Sequence, residues 1–342
     1  MRLPPLRFKP ILKPRAWGGD RFPRPAGRGD QGDVIGESWT LADLPASIAD
    51  GRSVVEEGPM AGRSLHEILE ATPDALLGSA SPANSGRFPM LVKILDAAEN
   101  LSVQVHPTPR YVEDHPDAAV KTESWFVLEA APGAVVYRGL RSGVDADTLR
   151  TAIGRKDGVL DLLVTLPVTP GACIHLPSGT CHALGADIRL IEIQTPSDTT
   201  FRVWDWNRDD PGRPLHLEAA MDCIDFDASS SSLPPLTRLA ELPAVEAGGG
   251  RRRRVCTAAE FTIDHLDLDA GTWNLTTGST PTVLVGIEGA LSVVDAAGDR
   301  ARLGPEDTVL VPASCEKPRI RCDGPGRLLS VEIPAIPGVL LA

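Results

Sequence analysis

Cysteine is sparse. Six thiols, at positions 173, 181, 223, 256, 315 and 322, are spread through 342 residues without a CxxC pair. That density excludes a disulfide-built scaffold and fits reduced thiols. Long apolar runs are lacking as well: nothing approaches the roughly eighteen consecutive apolar residues of a membrane span. The opening Met1-Arg2-Leu3-Pro4-Pro5-Leu6-Arg7 has no apolar segment of the secretory kind. No membrane partner is therefore expected, and the cytoplasm is the expected location. Positive charge is in deficit, with 34 Lys and Arg against 46 Asp and Glu and a formal net charge of -12. Nonspecific grips on nucleic acid depend on many Lys and Arg releasing counterions, so no nucleic-acid partner is expected. A small anionic metabolite needs only a few well-placed cations and stays compatible with this balance.

What is present is a chain of 342 residues with 42% hydrophobic content, enough for a buried core and more than one domain. Residues 7–39, rich in Gly, Pro and Arg, read as extended segments and loops. Residues 64–77 read as a helix: Ser64 caps the first turn, Glu67 closes a capping box, and Leu65, Ile68 and Leu69 form an apolar stripe. Further helical stretches are expected at 147–162 and 215–221. Strands are expected at 91–95, 101–106, 123–128, 134–137, 172–176, 188–194 and 201–204. Short strands between Gly and Pro turns point to a sandwich or barrel of antiparallel sheets. The Ser-Ser-Ser-Ser-Leu-Pro-Pro stretch within 227–236 reads as a linker. Beyond it, Arg251-Arg252-Arg253-Arg254 follows three glycines and lacks interleaved aromatics, so a solvated loop is expected rather than a nucleic-acid patch. Residues 256–341 then supply a second all-β stretch, with strands at 261–266, 282–287, 290–294 and 308–311 and the look of a small barrel or jelly roll.

The period-two pattern at 101–106 places Ser102, Gln104 and His106 on one face and Leu101, Val103 and Val105 on the other. Glu123 opens a following strand, and His182 follows the turn Pro177-Ser178-Gly179-Thr180-Cys181. Two imidazoles, a carboxylate and an amide oxygen suit a borderline divalent ion such as zinc, with room left for water or substrate oxygens. His175 competes with His182 and otherwise supports the site, while Cys181 offers a soft ligand in its place.

Several motifs, in order, carry a family pattern. They are Phe88-Pro89-Met90-Leu91-Val92-Lys93, Leu101-Ser102-Val103-Gln104-Val105-His106-Pro107, Lys121-Thr122-Glu123-Ser124-Trp125, Pro177-Ser178-Gly179-Thr180-Cys181-His182-Ala183-Leu184-Gly185, and the stretch from Gln194 through Asp198-Thr199-Thr200-Phe201-Arg202 to Trp206. With Trp17-Gly18-Gly19 and Gly36-Glu37-Ser38-Trp39, they resemble the type I mannose-6-phosphate isomerases of the cupin superfamily, in the shorter bacterial form, over residues 7–226. The resemblance implies an all-β fold with added helices, built as two cupin-like β-barrel or jelly-roll domains. A catalytic domain at 1–226 would carry the metal, 227–250 would link, and 251–342 would form a metal-free cupin-like β domain. It also implies one Zn2+ per chain on Gln104, His106, Glu123 and His182, with Arg202, Glu192 and Lys121 catalytic and Lys93, Ser102 and Arg202 gripping phosphate. Cys181 departs from the usual Val or Pro, and Thr195-Pro196 from the usual polar pair.

The expected activity is interconversion of mannose 6-phosphate and fructose 6-phosphate, which moves protons between C1 and C2 and between their oxygens. The partner is a small hexose phosphate, and the chain is expected to be a monomer or homodimer. Glu192 is the first choice of base, ahead of Lys121, His182 and metal-bound water. The competing readings are another metal cupin enzyme, such as an iron dioxygenase or a different sugar isomerase, and a non-catalytic sugar-binding regulatory cupin. An amide at Gln104 in place of a third histidine argues against oxygen chemistry, and Lys93 with Arg202 argues for an anionic substrate.

Overall fold

The computed structural model describes residues 2–23, 34–208, 210–227, 232–246, 248–276 and 278–335. Ala228 and the serines at 229–231 of the expected linker lie outside these residues. The chain divides into two compact units, one formed by Leu12–Ser38 and Leu95–Leu236, the other by Met1–Ile11, Trp39–Ile94 and Thr237–Ala342. No helix among the described residues is long and apolar enough to cross a membrane.

In the first unit, five strands run in the order Phe201–Trp204, Val103–Val105, His182–Leu184, Val135–Leu140 and Leu163–Pro167. A second antiparallel set places Glu123–Ala130 between Ala172–Leu176 and Ile188–Gln194. Alternation decides what each face buries. Trp125, Val127, Ile174, Leu176 and Leu190 from one set share a cluster with Val136 and Leu184 from the other. On the far face of the five-stranded sheet, Val103, Val105, Cys181, Ala183 and Val203 pack with Leu149 and Ile153 of the helix Ala146–Arg155 and with Ala220 and Met221 of the helix Leu217–Cys223. Each Val, Leu, Ile or Met among them contributes about 1.5–3 kcal/mol when fully buried. Leu101 joins the inner cluster rather than the side of Val103 and Val105, because the strand begins only at Val103 and the period-two pattern does not reach back to it.

The second unit holds a seven-stranded sheet in the order Leu6–Arg7, Thr308–Val311, Thr282–Glu288, Gly326–Glu332, Thr262–Leu268, Gly250–Thr257 and Val245–Glu246. A four-stranded sheet carries Gly271–Asn274, Arg319–Cys322, Leu291–Val294 and Arg300–Leu303. The expected helix at 64–77 forms with its capping box, Ser64 accepting from the Glu67 amide and Glu67 accepting from the Ser64 amide. It is split, however, into Leu65–Ala71 and Pro73–Leu77. Pro73 lacks an amide proton and forces Thr72 out of the helical region, to φ -145 and ψ 54.

Two expectations are corrected. The β-barrel or jelly-roll pair does not form. The sheets stay open, and the large sheet of the second unit ends in two-residue strands, Leu6–Arg7 and Val245–Glu246, that do not pair with each other. The result is a mixed α/β fold of several antiparallel sheets with helices. Closure depends on strand number, tilt and stagger acting together, and no single strand's alternation records them. The arginine run is strand, not loop: Gly250–Thr257 pairs with Thr262–Leu268, Arg253 meets Asp267 at 2.5 Å, and Arg254 meets Asp264 at 2.5 Å.

Candidate metal centre

Gln104 lies opposite His182 on one neighbouring strand and opposite Arg202 on the other, and His182 lies opposite Arg138. Directly paired residues share a face, so Arg202, Gln104, His182 and Arg138 form one row across the sheet. The turn 177–181 delivers His182 with its ring fixed, Nδ1 standing 2.8 Å from the Thr180 carbonyl oxygen. Nδ1 therefore donates that bond, which in the neutral ring leaves the lone pair on Nε2. That lone pair points 3.2 Å from Glu123 Oε1, while His106 Nε2 lies 3.3 Å from Glu123 Oε2. The two rings are tilted at 4.8 Å between centroids.

All of this is out of water: His106 is 1% exposed and Glu123 and His182 0%. Burial first, then the nearby Lys121 ammonium, pushes His106 down to about 3, so its imidazole is neutral at neutral pH. Burial alone would raise the Glu123 pKa. Lys121, whose Nζ sits 2.9 Å from Oε2, and His106 outweigh it, so Glu123 is held well below the usual carboxylate range. The neutral His106 ring and His182 Nε2 face an ionised carboxylate across little more than 3 Å; neither His106 nitrogen has a hydrogen-bond partner, and the carboxylate is met on one oxygen by Lys121. Lone pairs set against lone pairs repel unless a cation lies among them. One ligating atom from each of His106, Glu123 and His182 lies within 4.8 Å of the others. Gln104 joins them, its amide nitrogen 3.2 Å from His182 Nε2, and turning the terminal amide over presents its oxygen at that place. Two nitrogens, a carboxylate and an amide oxygen fit a divalent ion of zinc's type.

The other expected residues fall as follows. Lys121 is buried against Glu123. Glu192, 4% exposed, lies opposite Trp125 on the neighbouring strand and accepts from its indole Nε1 at 3.0 Å. Ser102 is buried. Lys93 is buried in the strand Leu91–Ala97, its ammonium 5.5 Å from the centroid of the Trp39 ring. Arg202 is half-buried, donates through Nη1 to the Pro214 carbonyl at 2.8 Å, and has its pKa lowered by burial and by Arg213. His175 lies opposite Ser124, and its Nδ1 pairs with Ser124 Oγ at 2.8 Å, on the side of the sheet away from Glu123. Cys181 packs in the far-face cluster, away from the row of Gln104 and His182, and burial pushes its thiol up to about 12.

The sequence reading passed over three inward side chains. Gln194, 0% exposed, lies opposite Glu123 and donates to the carbonyls of Thr195 and Ser197. Arg138 extends the row beyond His182 and donates to the Pro234 carbonyl. Trp125 shares the face of Glu123, two residues away. The period of two in 123–125 and 192–194 carried the signal for two of them, since a strand that turns Glu123 inward turns Trp125 inward too.

Residues 6–123 match the family profile described as the catalytic domain of type I phosphomannose isomerase. The chain is 37% identical over 233 residues to a mannose-6-phosphate isomerase of Streptococcus mutans, covering 67% of this chain and 71% of that one. It is 36% identical over 234 residues to the mannose-6-phosphate isomerase ManA of Bacillus subtilis, covering 66% of this chain and 69% of that one. Among solved structures, the mannose 6-phosphate isomerase of Bacillus subtilis superposes with a TM-score of 0.80 at 26% identity, covering 97% of this chain and all of that one. A variant phosphomannose isomerase from Salmonella typhimurium shares the fold at a TM-score of 0.70 and 17% identity, over 96% of this chain and 99% of that one.

Proposed function

The chain belongs to the type I mannose-6-phosphate isomerase family, and from that membership we propose that it interconverts mannose 6-phosphate and fructose 6-phosphate with one zinc ion per chain. The observation that carries this reading is the pair of imidazoles, His106 and His182, converging on the Glu123 carboxylate out of water. His106, Glu123, His182 and Gln104 would hold the ion, which when bound supplies Lewis acidity toward the C1 and C2 oxygens of the sugar.

The chain's own residues do the rest. Glu192 takes the proton from C2 of the aldose and returns it to C1 of the ketose, while a second proton passes between the two oxygens, so no oxidant or reductant is consumed. Lys121 and Arg202 place positive charge beside the enediolate that develops between these transfers. Lys93, Ser102 and Arg202 take the phosphate, for which a guanidinium fork and an ammonium are suited donors. The reading keeps the chemistry within residues 1–226 and gives residues 251–342, joined through 227–250, no chemical step. A cytoplasmic location, and a monomer or homodimer, belong to the same proposal. The test is to follow mannose 6-phosphate conversion before chelation, after it, and after zinc is restored. Loss and recovery are expected. Turnover that survives complete metal removal, or none with zinc bound, contradicts the proposal.

A further inference from the structure

Trp125 is fully buried at 0% exposure and sits two residues after Glu123 on the same face of its strand. Its ring meets the His182 imidazole edge to face, with centroids 5.4 Å apart and planes at 75°. Its indole Nε1, a donor only, points 3.0 Å from Glu192 Oε2 on the neighbouring strand, where Trp125 and Glu192 are paired directly. One rigid side chain therefore touches a candidate ligand with its ring and the candidate base with its N–H. The Glu192 carboxylate is 4% exposed, and a buried carboxylate takes its orientation from the donors around it.

We propose that Trp125 is a positioning residue for the isomerisation: its indole N–H fixes the Glu192 carboxylate in register with His182, and so sets the geometry of proton transfer. The inference rests on the reading of Glu192 as the base. The ring contact and the N–H bond separate by chemistry. Phe at 125 keeps an aromatic edge toward His182 and loses the donor, while the hydroxyl of Tyr brings a donor back at the tip of a similar ring.

The test is a double-mutant cycle on the zinc-loaded full chain, combining Trp125→Phe with Glu192→Asp, whose shorter arm draws the carboxylate away from the indole. Trp125→Phe is expected to lower kcat by roughly tenfold or more, with KM changed less than about threefold and bound zinc still one per chain. In the Glu192→Asp background the same change is expected to have little further effect. Trp125→Tyr, which also serves if the Phe variant does not fold, is expected to recover part of the lost turnover in an otherwise natural chain. Equal losses in both backgrounds, or undiminished kcat in Trp125→Phe, overturn the inference. A natural chain without isomerase activity instead overturns the reading it rests on, so the two failures are distinct.

Discussion

Glu123 is the residue on which the centre turns. Its carboxylate faces the His106 and His182 imidazoles and the Lys121 ammonium, all buried. Replacing it by Gln removes a carboxylate of the candidate metal site and leaves Lys121 without its counter-ion. Breaking a buried pair from one side costs about 3–5 kcal/mol. Glu123→Gln is therefore expected to lower the unfolding free energy by roughly 3 kcal/mol and to abolish zinc retention, and adding Lys121→Met is expected to restore part of the stability but none of the zinc. Denaturant unfolding with metal analysis decides it: equal stability with and without Lys121 counts against the pairing. Arg202 behaves differently because it is half-buried and its guanidinium donates to the Pro214 carbonyl rather than to a carboxylate. Arg202→Ala is expected to cut turnover about a hundredfold while moving the melting temperature by only a few degrees. A large loss of stability with turnover retained assigns it a purely structural part.

At the scale of elements, what the sequence discloses follows from what a short stretch can encode. Ala172–Leu176, Ile188–Gln194, Phe201–Trp204 and Thr308–Val311 form where alternation and flanking turn residues set them. The inward set at Gln104, His106, Glu123 and His182 was legible for the same reason, since strand period and a tight turn decide which way each points. Ile11–Gly19 was not. It contains Pro14, Gly18 and Gly19 and falls in a stretch that reads only as extended segments and loops, yet a side chain on Gly18 would come within 2.7 Å of the Gly36 nitrogen. The glycine there permits close backbone approach rather than ending a strand. The arginine strand was hidden in another way, because its neutralising partners Asp264 and Asp267 sit on the neighbouring strand rather than beside it in the sequence. Glu246, Arg251, Asp267, Arg327 and Glu288 pair across successive strands with alternating charge, and Arg327 bonds Asp267 at 3.2 Å and Glu288 at 2.9 Å. Such a ladder leaves little net charge for a nucleic acid. The capping box at Ser64 is an element property that can be measured alone: Ser64→Ala is expected to cost about 1 kcal/mol of stability, and a change below a few tenths would show that tertiary packing alone sets that helix start.

For the whole molecule, stability is linked to protons and to metal. Burial, aided by Arg253 and Arg327 and opposed by Asp267, lowers His265 from 6.5 to about 4. The unfolded chain therefore takes up this proton first on acidification. Its contribution to stability is complete above about pH 6.5, declines as pH falls toward about 4, and is flat below. His265→Gln is expected to flatten that slope, by of order 1 kcal/mol per pH unit, in unfolding curves taken across the window. An unchanged slope places the proton uptake elsewhere. An ion bound only by the folded chain adds about 2.7 kcal/mol at a hundredfold excess over its Kd, so chelation is expected to lower the melting temperature of the natural chain but not of Glu123→Gln.

The most direct measurement is anomalous diffraction at the zinc edge from crystals of the zinc-loaded chain. A single peak is expected within coordination distance, about 2.0–2.2 Å, of His106, His182, the Glu123 carboxylate and the Gln104 amide oxygen. A peak seated on other side chains, or no peak at a chain that still turns over mannose 6-phosphate, contradicts the account.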